Sequence, residues 1–137
     1  MRNRGFTLLE ALVVLALLAV LLSLAVPGLK GLRKKHQMQN HAEHLQASLL
    51  LARTEALRRQ QRVTLCVRES AAGAAPVCTA AHSWAQGWVV FVDGNNNAHR
   101  EASEAVLLVQ EALPAWMTLQ GNATVDRYIS YGPQGRS

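Results

Sequence analysis

Leu8 to Val26 reads LLEALVVLALLAVLLSLAV, nineteen residues with one charge, Glu10. As a helix the run covers ~28 Å, about the hydrocarbon thickness of a bilayer. A helix on a soluble core keeps a polar stripe, and none is present, so the segment is expected to span or enter a membrane. The whole chain has 137 residues, enough for one ordinary domain plus an appendage and too few for a large two-domain enzyme. Half of it is hydrophobic, which argues against disorder. The net charge of +5 is unevenly placed: residues 1–62 hold ten Lys/Arg against three Asp/Glu, and residues 63–137 hold four against six. The basic character therefore belongs to the N-terminal part, which weakens any reading as a uniformly basic nucleic-acid binder.

Two simple readings fit the apolar run. In a secretory signal peptide, Arg2 and Arg4 form the basic start, and Ser23-Leu24-Ala25 places small residues before a cut after Ala25. The run is longer than the usual ~7–15 residues of such a segment. In a plain anchor Glu10 is awkward, since a carboxylate at mid-bilayer costs about 2.5–3.5 kcal/mol. An intramembrane acid is a functional candidate by default.

The string Arg4-Gly5-Phe6-Thr7-Leu8-Leu9-Glu10 resembles the prepilin leader and N-methylation motif of type IV pilins and type II secretion pseudopilins. The resemblance implies that a prepilin peptidase cuts after Gly5. Phe6 then becomes the N-methylated mature N-terminus, and Glu10 the acid five places into the mature chain. A buried carboxylate needs a positive partner, and the new amino group of a neighbouring subunit supplies one.

Pro27 and Gly28 end the apolar run. In water such a pair stops a helix; beside a membrane it is tolerated as a kink, and the resemblance implies a kink at Pro27 in one long helix. From Met38 an amphipathic pattern begins: Met38, Ala42, Leu45, Leu49, Ala52 and Ala56 on one face, widened by Leu50 and Leu57. Gln37, Gln39, Glu43, Gln46, Arg53 and Arg58 lie opposite, and the helix is expected to end near Arg59. Arg58, Arg59 and Arg62 suit the negative end of the helix dipole better than they make a phosphate-binding patch. His41 and His44 share a face without a convincing third ligand, so they and His36 are read as exposed histidines and no zinc is expected.

After Arg62 the period becomes two. Val63, Leu65 and Val67 alternate with Thr64, Cys66 and Arg68 as a half-buried strand, and Gly87 to Asp93 reads as a strand buried on both faces. Ala105–Gln110, Met117–Gln120 and Arg127–Tyr131 are expected as further strands, with Ser70–Pro76 a loop. Cys66 and Cys78 are the only cysteines. They are either bridged or a pair of buried thiols, and the membrane address favours a bridge in an oxidising compartment. Charge leaves the orientation undecided, since Lys30, Arg33, Lys34 and Lys35 follow the apolar run as Arg2 and Arg4 precede it. A bridge would place the C-terminal part outside the cytoplasm.

Asp93, Asn95, Asn97 and Glu104 match the first, third, fifth and last ligand positions of an EF-hand loop, and some pseudopilins bind calcium. However, Ala98 stands where that loop needs glycine, and the flanks are strands. A polar hairpin turn is the better reading, with no cofactor and no metal expected.

Gly87–Asp93, the Asn-rich turn, the strand Glu104–Val109 and the ending Ile129-Ser130-Tyr131-Gly132-Pro133-Gln134-Gly135-Arg136 are similar to the H-type pseudopilin and fimbrial T-type minor pilin family. The resemblance covers nearly the whole chain. It implies an α+β fold, a long N-terminal hydrophobic helix, half transmembrane and half amphipathic, packed on a small and mostly antiparallel β-sheet domain. The division expected is leader 1–5, membrane and filament-core helix 6–26, amphipathic continuation 27–61 and periplasmic β domain 62–137. Family members usually run on past the Gly-Arg into another strand, whereas Ser137 follows here, so either the sequence is truncated or that last strand is absent.

No nucleophile elbow, phosphate-binding glycine loop or zinc signature is present in the sequence, and the chain is not expected to be an enzyme. The expected role is a minor pilin or pseudopilin that helps initiate or cap a type IV pilus or a type II secretion pseudopilus. It would sit in the bacterial inner membrane as a single-pass protein, with other pilin subunits and the prepilin peptidase as partners. The alternatives are a DNA-binding minor pilin for DNA uptake, with Arg136 as the DNA contact, and a secreted protein with a conventional signal peptide.

Overall fold

A computed structural model describes residues 7–69, 75–80 and 83–137, apart from the side chains of 24–30. The chain divides into two compact units, Met1–Asn40 and His41–Ser137. Helix α1, Leu8–Arg59, supplies the first unit and enters the second. It begins at Thr7, whose hydroxyl accepts the Glu10 backbone N–H at 3.3 Å. It runs on through Pro27; the kink expected there falls among the residues whose side chains lie outside the description. Among the described residues no helix is long and apolar enough to cross a membrane, and residues 24–26 of the apolar run are in that undescribed set. The helix stops where the sequence indicates. Gln60 takes a left-handed conformation (φ 54°), and its side-chain amide donates to the Leu57 carbonyl at 2.8 Å, occupying a carbonyl the helix leaves open.

The second unit holds four strands: β1 (Val63–Val67), β2 (Trp88–Val92), β3 (Val106–Gln110) and β4 (Tyr128–Tyr131). They form one antiparallel sheet in the order β3-β2-β1-β4. Leu65 lies opposite Val90 on one side and Ile129 on the other. Gly87 admits β2 to the sheet at φ 91°, where a Cβ would stand 2.2 Å from the Gln110 carbonyl oxygen. The β2–β3 pairing confirms the hairpin, with the Asn-rich loop as its connection.

Period two places Val63, Leu65, Val67, Trp88 and Val90 on the face that packs with Ala52 and Ala56 of α1, flanked by Leu45 and Leu49. Trp88 is fully buried, and its indole N–H donates to Ser48 Oγ at 2.9 Å. Ser48 in turn donates to the His44 carbonyl at 2.7 Å. This buried polar pair interrupts an otherwise apolar contact, and each polar atom in it has a partner. Trp84 closes one end of the core, donating to the Val125 carbonyl at 2.9 Å.

Four expectations are corrected. Strand β1 is buried at every position, not half-buried, because its reverse face is covered too. There Cys66, Cys78, Val89 and Phe91 form a second small core with Val106, and Thr64 is held by hydrogen bonds. Met117–Gln120 is not a strand. Met117 and Leu119 instead pack on the main core, and β4 takes the place beside β1. Leu50 does not widen the packed face of α1 but is 64% exposed. Leu57, also largely exposed, lies over Gly135 in the C-terminal turn. His41 is half-buried, whereas His36 and His44 are exposed as expected.

Candidate functional site

Two places carry the expected functional residues. The first is the N-terminal start of α1. Gly5 and Phe6, the expected cleavage and methylation residues, lie outside the described residues. Glu10 is exposed in the first turn of α1. Its position relative to Thr7 is the Thr-x-x-Glu spacing of a capping box, a signal legible in the sequence. Glu10 therefore favours the positive end of the helix dipole while its carboxylate stays available to a partner. From Leu8 to Leu22 the leucines and valines of α1 are exposed to solvent in the isolated chain. So much apolar surface marks a segment made to be covered.

The second place is the loop after β2. Asp93 is fully buried. Its Oδ2 accepts from Thr64 Oγ1 at 2.8 Å and from the Ala98 N–H at 3.1 Å, and its Oδ1 from the Asn97 N–H at 3.1 Å. Thr64 Oγ1 also bonds Ser130 Oγ at 2.8 Å, so the network ties β1, β4 and the loop together. Glu101 accepts from the side-chain amides of Asn95 and Asn97, and Glu104 accepts the N–H of Gly94 and of Glu101. The four residues at EF-hand spacing are thus brought into one loop, where protein donors engage their oxygens. Among the described residues no group of three or more His, Cys, Asp or Glu is placed to hold a metal.

Ala98 sits in that loop at φ 58°, a conformation that costs a residue with a Cβ about 1–2 kcal/mol. Ala98→Gly is expected to stabilise the C-terminal unit by about 0.5–1 kcal/mol, after allowing for the extra freedom of glycine in the unfolded chain. Denaturant unfolding of the two proteins side by side checks this; a destabilised variant would show that the left-handed turn is not formed.

Cys66 and Cys78 are bridged, with 5.6 Å between their Cα atoms. The bridge closes a loop whose cross-linking contributes about 2–3 kcal/mol by chain entropy. Beside it is a cavity of about 330 Å³ lined by Cys66, Cys78, Asn97, His99, Arg127 and Tyr128 among others.

Sequence reasoning overlooked Glu55. Arg58 grips it through two hydrogen bonds of 2.9 and 2.8 Å, and Arg59 adds a third. These bonds, Arg58 first and Arg59 second, hold the carboxyl down from its ordinary 4.5 to about 2. Two of the three arginines at the helix end are therefore engaged by an acid of the same helix, which fits a solvated helix end. A carboxyl lowered in the folded state adds stability above its ordinary range and loses it as pH falls toward the lowered value. Thermal melts at pH 6 and pH 2 should accordingly show wild type ahead of Glu55→Gln at pH 6 and the gap shrinking by pH 2. The gap is small because the pair meets solvent; equal gaps at both pH values would contradict the pairing. Arg136, the DNA contact only of the alternative DNA-uptake reading, is exposed in the turn closed by the bond from the Gly132 N–H to its carbonyl.

Two family models match different parts of the chain. A family model described as "Type II transport protein GspH" matches residues 41–137, the extent of the second compact unit. One described as "Prokaryotic N-terminal methylation motif" matches residues 1–26. The chain is 38% identical over 104 residues to a pilin-like protein, PilA1, of Thermus thermophilus, covering 76% of this chain and 57% of that protein. The chain thus spans little more than half the length of that relative. No solved structure matches. With its methylation motif and its C-terminal unit each matched, the chain belongs to the type II transport protein GspH family, the pseudopilins and minor pilins.

Proposed function

We propose that this protein is a minor subunit that helps initiate or cap a pilin-like filament, a type II secretion pseudopilus or a type IV pilus. In this reading the prepilin peptidase cuts after Gly5 and Phe6 is methylated. Leu8–Val26 holds the subunit in the inner membrane, with residues 41–137 in the periplasm, until the helix moves into the filament core. The observation that carries the reading is the joining of a methylation motif and a GspH unit on one chain. The exposed apolar surface of α1 supports it, because bilayer and filament core both cover such a surface. The disulfide supports the periplasmic side.

The work proposed is assembly, not catalysis. Deleting the gene is expected to reduce filament number or secretion sharply, and the intact chain should restore it. Undiminished filaments and secretion in the deletion strain would contradict the reading. We also propose that the fold needs no metal, because Asp93 already has three protein donors. EDTA is then expected to leave the melting temperature unchanged, and a fall of several degrees reversed by calcium would show a bound ion.

A further inference from the structure

Between Glu10 and Glu43 the chain contains no acidic residue, yet Lys30, Arg33, Lys34 and Lys35 fall within six positions there, followed by His36. The helix is continuous through this stretch, and Arg33, Lys34, Lys35 and His36 are all exposed. Successive helical residues point about 100° apart, so the three consecutive cations 33–35 fan over about 200° of the circumference. They form a collar, not a stripe for one neighbour.

The collar lies about 10–14 Å along the helix beyond Val26. The polar zone of a bilayer extends several ångströms past the hydrocarbon, and long basic side chains reach back toward it. Its sign is wrong for setting topology. Cations normally mark the cytoplasmic flank, whereas the Cys66–Cys78 bridge belongs to the oxidising side, so the cluster stands on the exported flank. Four cations kept against that bias call for a ligand on that side of the membrane.

We propose that Arg33, Lys34 and Lys35 bind the phosphate headgroups of anionic phospholipids in the outer leaflet of the inner membrane, retaining the subunit there before assembly. This rests on the membrane anchoring proposed above. Each cation near an anionic surface strengthens binding about fivefold, so removing three weakens it about 100-fold.

The test titrates the full chain, purified in a non-ionic detergent, with phosphatidylglycerol or phosphatidylcholine and counts bound lipid by native mass spectrometry. Phosphatidylglycerol is expected to bind at least about tenfold more tightly, and the triple variant Arg33→Ala, Lys34→Ala, Lys35→Ala should lose that preference while keeping its helical circular dichroism. Equal binding of the two lipids overturns the proposal, as does an undiminished preference in the triple variant. Displacement of phosphatidylglycerol by a short DNA duplex at lower concentration also overturns it, assigning the collar to nucleic acid. A parallel assay separates the two readings. Both proteins, placed in phosphatidylcholine vesicles, should withstand an alkaline carbonate wash. Release of the wild type refutes the anchor itself, whereas retention without lipid preference refutes only the collar.

Discussion

Trp88→Ala is expected to lower the stability of the C-terminal unit by about 3–5 kcal/mol, the usual cost of emptying a buried aromatic site. Trp88 lies in β2 with no exposed surface and faces Ala52 and Ala56 of α1. Those small residues let helix and sheet approach closely, so they cannot swell to fill the space. Removal also strands Ser48 Oγ, which loses the indole donor at 2.9 Å inside a dry contact. For a unit of this size the loss corresponds to a fall in melting temperature of about 12–30 °C. Trp88→Phe, which keeps much of the apolar volume, should recover most of it. Circular dichroism melts of the full chain in detergent measure both. A fall below about 5 °C for the alanine variant would show that the helix–sheet contact does not centre on Trp88.

Glu10→Ala should leave membrane insertion intact or improved, since it removes the one charge from the apolar run. The helix start survives, because the bond to the Thr7 hydroxyl uses the backbone N–H of residue 10. Incorporation into filaments should fail. Breaking a buried pair by deleting one partner costs about 3–5 kcal/mol, which corresponds to occupancy lower by about 100-fold or more. Glu10→Gln, which keeps size and polarity but not charge, should fail as well. Quantifying the chain in membrane and sheared-filament fractions separates the two steps, and normal incorporation of either variant would contradict the charge-pairing role of Glu10.

Much of this molecule is legible from residue order, for physical reasons. The methylation motif is a contiguous string and needs no tertiary context. The end of α1 and the positions of β1, β2, β3 and β4 follow from changes of period and from a Gly-Pro turn. What escaped depends on contacts distant in sequence. Thr64 and Cys66 look like an outer polar face, yet Asp93, twenty-nine residues away, and Cys78 bury them. Met117-Thr118-Leu119-Gln120 alternates like a strand, but it joins no sheet and Met117 and Leu119 pack against the main core instead. Ser48 is indistinguishable from surface polar residues until Trp88 is placed above it. In the N-terminal unit, the Thr7–Glu10 cap is legible as a Thr-x-x-Glu spacing and needs no distant contact.

The most direct measurement is intact mass and tandem sequencing of the mature N-terminus from membrane and filament fractions. A chain that begins at N-methylated Phe6 is the predicted result. A chain that begins at Val26, or that retains Met1 in assembled filaments, would contradict it.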